Sequence, residues 1–175
     1  MFAEILYVTR QLVHTPIQFI TLRDNPTFLI QMTLHHVLSA ACYGSGLLTE
    51  RMHYFAVLDG CCEVTTIFLN ALFLCKCFAP ADTLALPKAI SGGLLWLTFV
   101  FFRLLLFPFW LYTFISDCNA QPATTWETIN GFERYAYVLV TVFLLVLSAH
   151  WFVPITKGML KAMKAATSKK EKKLE

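Results

Sequence analysis

Apolar residues along this chain fall into long runs broken by short polar or proline-marked stretches. Four runs are long enough to cross about 30 Å of hydrocarbon as helix, which takes about 20 residues. They extend from Thr27 to Leu48, His53 to Phe78, Ala89 to Ile115, and Tyr135 to Val153. The breaks hold Glu50-Arg51, then Pro80-Ala81-Asp82, then Asp117 to Arg134 with Pro122 and Gly131. Charged, proline and glycine positions of this kind end helices and mark turns. Pro26 and Pro87 suit the first turns of spans one and three, where a missing N–H costs nothing. Pro108 falls inside span three and predicts a kink there. The first 22 residues are apolar but interrupted by Glu4, Arg10, Gln11 and His14, too polar and short for a span. The expected fold class is all-α: a polytopic transmembrane helix bundle of about four spans.

Within the apolar runs, polar side chains recur at helical steps. Span two carries Asp59, Glu63, Thr66 and Asn70 at steps of four, three and four, one face of an unbroken helix. Span one carries Gln31, His35, Ser39, Cys42 and Gly46 in a similar stripe, with His36 about 100° round from His35. Ionisable groups at such depth cost several kcal/mol each and face a bundle interior, a cavity or one another. The stripes of spans one and two are therefore expected to face each other across a polar chamber. A carboxylate such as Glu63 or Asp59 would hold one imidazole basic and oriented. A structural hydrogen-bonding role for the histidines is the plainer alternative. Arg103, within span three, should seek Glu63 or Asp59; such a pair would fix helix order or bind a substrate phosphate, unless the side chain snorkels to the surface.

Composition agrees with lipid as the main solvent: 57% of residues are hydrophobic, 14% are charged and 16 are phenylalanine. A soluble domain is nearer half apolar and a quarter charged. The net charge of +3 comes from lysines at positions 157, 161, 164, 169, 170, 172 and 173. Next to a hydrophobic span this run marks the cytosolic side and argues against nucleic acid as a partner. The Asp117–Glu133 loop is then lumenal. Lys172 and Lys173, third and fourth from the end, resemble the dilysine signal that coat proteins read to return membrane proteins to the endoplasmic reticulum. Five of the six cysteines lie within the spans and Cys118 falls in the polar loop; no pairing makes a disulfide or metal site. Haem between His36 and His150 would need matched depth and more than one such pair.

His35-His36, Ser39 and Tyr43, followed by Glu63-Val64-Thr65-Thr66 and Phe68-Leu69-Asn70, resemble the signature region of the TLC-domain membrane proteins, which include the ceramide synthases. Ceramide synthases have His-Asp where this chain has Cys62-Glu63, and a second Asp where it has Thr66. The Glu-to-Asn segment is more similar to the branch of TLC-domain proteins concerned with lipid homeostasis, as are Arg103 with Phe107-Pro108, and Trp151-Phe152. The resemblance implies a six-helix barrel open toward one leaflet, of which this chain would hold the later part, being N-terminally short. It divides the chain into a partial TLC domain over 1–160 and a basic cytosolic tail over 161–175. It further implies an endoplasmic-reticulum protein of lipid or sphingolipid metabolism that binds or regulates lipid. Its expected partners are membrane lipids, acyl chains and a second copy of itself. The alternative is an N-acyltransferase in which His35 or His36 takes an amine proton, Glu63 or Asp59 orients it, and Ser39, Thr66, Asn70 and Arg103 bind substrate. In that case acyl-CoA is a co-substrate, with no other cofactor and no metal.

Overall fold

In the computed structural model, residues 2–21, 24–78, 84–125, 127–129 and 131–171 are described, and among them every regular element is helical. Helix α1 spans Phe2–Thr21, α2 Pro26–Thr49, α3 His53–Gly60, α4 Val64–Phe78, α5 Ala85–Phe99, α6 Leu106–Ala120 and α7 Gly131–Glu171. A 3-10 turn, Cys61–Glu63, joins α3 to α4, and a π-helical stretch, Val100–Leu105, joins α5 to α6. The expected dilysine pair, Lys172 and Lys173, and the Pro80-Ala81-Asp82 break lie outside the described residues.

Local sequence explains most of these boundaries. Asn25 caps α2 by accepting a hydrogen bond from the Phe28 N–H at 3.2 Å, with Pro26 at the first helical position. At the far end Glu50 takes a left-handed conformation (φ 54°), and the Glu50 and Arg51 N–H groups both donate to the Gly46 carbonyl. Gly46 is needed there: a β-carbon would come within 3.2 Å of the Arg51 carbonyl oxygen. Pro108 lacks the N–H that would bond to residue 104. The chain answers with the π-helical widening just before it, where the Leu106 N–H reaches back five residues to Phe101, so α5 runs into α6 without a break.

Three stretches are long and apolar enough to cross a membrane: His53–Cys75, Ala85–Ala120 and Gly131–Lys164. This makes the chain an all-α, multi-pass membrane protein. Four spans were expected. Helix α2 has the length, at 24 residues, but Gln31, His35 and His36 dilute its hydropathy and it is not among the three. The last two spans run longer than their apolar cores suggest. Helix α6 continues to Ala120, so Cys118 is buried on a helix rather than set in a polar loop. Helix α7 passes through Pro154, where the chain was expected to end its last span, and continues to Glu171.

The chain divides into two compact units. Unit 1 comprises Met1–Cys61 and Phe107–Leu147. In it α1 packs on α2 and α3, stacking Tyr7 on Tyr43 at 4.1 Å between ring centroids. Its core gathers Trp110, Phe114, Cys118, Ile129 and Tyr137, with Phe55 of α3 meeting Trp110 and Phe114 edge-on. Unit 2 comprises Cys62–Leu106 and Ser148–Glu175. There α4 packs on α5, Phe99 stacks on Phe152, and the Trp96 indole N–H donates to the Thr156 hydroxyl at 3.1 Å.

Candidate functional site

In unit 1, α2 buries His35, His36, Ser39, Tyr43 and Gly46. These positions are three or four residues apart except for the adjacent histidines, so they form an inward stripe; it keeps His35, Ser39 and Gly46 of the expected one, while Gln31 and Cys42 are half-buried and His36 and Tyr43 join it. Both histidines are only 3% exposed, and their ring centroids lie 5.1 Å apart with the planes tilted by 54°. The Tyr43 hydroxyl lies 3.0 Å from both Asp59 Oδ2 and the Ala56 carbonyl oxygen, and has one proton to donate between them. Asp59 is thereby held by α2 although it stands on α3. The hydroxyl of Ser39 and both ends of the Gln11 amide are buried with no hydrogen-bond partner among the described residues.

Ser39, Tyr43 and Asp59 border a partly open cavity of about 40 Å³, lined also by Phe55, Trp110 and Tyr137 together with smaller apolar side chains. Its wall is aromatic and apolar apart from Asp59, Ser39 and a few hydroxyl and thiol groups. The volume admits a water molecule or a small polar group, and is far below the several hundred Å³ of sites that enclose a whole ligand. Of the expected residues, the structure brings Ser39 and Asp59 together here. His35 and His36 are buried on the same helix but do not line this cavity.

The other expected residues belong to unit 2, and their arrangement differs from a single polar stripe. Cys62 and Thr65 are the buried positions of that region, while Glu63 and Thr66 are half-buried and Asn70 is exposed. The cause is local. The 3-10 turn Cys61–Glu63 advances about 120° per residue instead of about 100°, so the face is turned by about 60°, over half a residue's rotation, beyond it. Arg103 is 5% exposed, so it does not snorkel. Within unit 2 the expected ion pair of Arg103 with Glu63 is not found among the described residues. Instead its Nε–H donates to the Thr65 hydroxyl at 3.0 Å, that hydroxyl donates to the Cys62 carbonyl at 2.8 Å, and the Phe99 ring covers the guanidinium at 5.5 Å. The shift buries Cys62 in place of Glu63 and Thr65 in place of Thr66, and Thr65 gives Arg103 a neutral partner.

Three residues central to unit 1 were not anticipated from the sequence: Trp110, Tyr137 and Glu133. Glu133, in the first turn of α7, is 1% exposed and accepts a hydrogen bond from the Ser45 hydroxyl at 2.6 Å, with the Thr49 and Tyr137 hydroxyls at 3.3 and 3.4 Å. The Thr49 hydroxyl also lies 2.9 Å from the Ser45 carbonyl, so the Ser45 bond is the firm one. A signal was present: Glu133, Tyr137, Thr141 and Leu144 recur at steps of four, four and three, the same periodicity that exposed the α2 stripe.

Neither the curated proteins nor the solved structures contain a significant match to this chain. Its sequence does match the family model of the TLC domain over residues 7–157, which takes in both units, the histidine pair, Asp59 and Arg103. This helical, multi-pass membrane protein belongs to the TLC-domain family.

Proposed function

We propose that this protein, whose family links it to lipid metabolism or homeostasis, binds a membrane lipid by its polar head, with Asp59 and Ser39 as the groups that hold it. The supporting observation is the cavity itself: a carboxylate and a hydroxyl presented inside an otherwise aromatic and apolar wall. Its small volume suits part of a headgroup, leaving the acyl chains against the apolar exterior. The setting we propose is the endoplasmic reticulum, with the lysine-rich end of α7 in the cytosol. Native mass spectrometry of the full chain should then show a co-purifying lipid. Ala56→Leu, which fills the cavity from its wall, should lower its occupancy at least several-fold. A folded wild-type protein that carries no lipid, or equal occupancy in the filled variant, would refute the reading.

The buried, adjacent histidines favour a second reading, an acyl-CoA-dependent N-acyltransferase with His35 or His36 as the base. Under it, purified protein given acyl-CoA and an amine-bearing lipid forms an amide. His35→Ala or His36→Ala should then reduce the rate about 10²–10⁴-fold while the protein still folds. Amide formation indifferent to both substitutions would exclude histidine catalysis.

A further inference from the structure

We infer that Arg103 is the anchor of an oxyanion site in unit 2, built to take the phosphate or carboxylate of a membrane lipid. Arg103 stands eighteen residues into the thirty-six of the Ala85–Ala120 stretch, roughly 27 Å from either end. A guanidinium at such a depth costs several kcal/mol unless a counter-charge or a full set of acceptors meets it. Among the described residues one of its five N–H groups finds an acceptor, the Thr65 hydroxyl, and one face is covered by Phe99. Within unit 2 no carboxylate pairs with it among the described residues. The four N–H groups on Nη1 and Nη2 therefore form an unclaimed fork, the geometry that matches the two oxygens of a carboxylate or phosphate.

The surroundings hold that fork in one pose. Thr65 is fixed in orientation, since its proton goes to the Cys62 carbonyl and one lone pair accepts from Arg103 Nε–H. Phe99, itself buried and stacked on Phe152, prevents the guanidinium plane from tilting. Arg103 lies in the π-helical stretch, and the Cys62 carbonyl that fixes the Thr65 hydroxyl lies in the 3-10 turn that precedes α4. Such departures concentrate where a side chain is aimed at a task. A charge retained at mid-span, clamped through Nε and left without a carboxylate, is arranged for an anion that arrives from outside the chain. The site uses none of the residues that line the unit 1 cavity, so it stands or falls independently of the headgroup proposed there.

The test uses the full chain in detergent, stripped of lipid and followed by native mass spectrometry and thermal unfolding. Three probes separate the sources of the oxyanion: dipalmitoyl phosphatidate, palmitate, and inorganic phosphate alone. One of the two lipids should bind and raise the unfolding midpoint, and inorganic phosphate should do so only if the anion needs no acyl chain. Arg103→Gln should weaken that binding about tenfold or more, and Arg103→Lys, which keeps the charge but loses the fork, by an intermediate factor. Should Arg103→Gln fail to fold, Thr65→Val, which frees Nε, is expected to weaken binding several-fold in a protein that retains its charge. Ala56→Leu should leave this binding unchanged. Equal binding of all three probes by wild type and variants, or no binding by wild type, would overturn the inference.

Discussion

Replacing Trp110 by alanine should cost this protein about 3–5 kcal/mol of stability, the largest loss expected from any single substitution in unit 1. The indole is buried at the centre of the unit, stacked on Phe114 with centroids 4.9 Å apart and meeting Phe55 edge-on at 5.4 Å. Its N–H donates to the Phe55 carbonyl at 2.9 Å, so it also ties α6 to α3. Between membrane helices the transfer of apolar surface from water contributes little, and dispersion contacts and hydrogen bonds carry the packing. Truncation leaves a void lined by Phe55, Phe114 and the existing cavity, which the rigid rings cannot close. The thermal midpoint in detergent should fall by roughly 6–15 °C. Trp110→Phe keeps most of the contacts and gives up the hydrogen bond, so about 1–2 kcal/mol is expected. A midpoint unchanged in Trp110→Ala would show that unit 1 is not organised around this ring.

Glu133→Ala is the second large effect, at about 2–4 kcal/mol. The carboxylate sits in the first turn of α7, where an acidic group also meets the unpaired N–H groups of the helix start. It joins that end of α7 to the last turns of α2 through Ser45 and Thr49. Alanine strands the Ser45 hydroxyl and leaves the Tyr137 hydroxyl without this acceptor, whereas Glu133→Gln keeps an acceptor oxygen and should cost about 1 kcal/mol. Because Ser45 and Glu133 are one interaction, Ser45→Ala added to Glu133→Ala should cost clearly less than the sum of the two. Strict additivity in that double-mutant cycle would mean the 2.6 Å contact does not contribute to stability.

The all-helical, membrane-embedded character of the chain is legible from hydropathy alone, because lipid leaves the backbone few alternatives. The inward stripe on α2 is also legible, since an unbroken helix keeps its period from His35 to Gly46. Periodicity misleads on the next helix, where after a three-residue 3-10 turn the buried positions are Cys62 and Thr65 rather than Glu63 and Thr66. No residue in Cys61-Cys62-Glu63 announces that turn. Pro108 did mark a disturbance in span three, but the chain absorbs it as a π-helical widening upstream instead of ending the helix. The ends of α6 and α7 were set too early, because polar residues such as Asp117 and Lys157 continue a helix readily once it is under way. Glu133 was hidden by its neighbours: a glutamate beside Arg134 in an acidic loop looks solvated until the Ser45 hydroxyl is placed against it.

Along His53–Cys75 the exposed apolar positions, Val57, Ile67, Phe73 and Leu74 among them, have acyl chains rather than side chains as neighbours. Hydrocarbon does not distinguish leucine from isoleucine or phenylalanine by shape. Exposed positions such as Val57, Ile67, Phe73 and Leu74 are therefore free to drift among apolar residues over evolutionary time, while Cys62 and Thr65 are constrained. Homologous chains should diverge letter by letter along this stretch and still agree in oiliness.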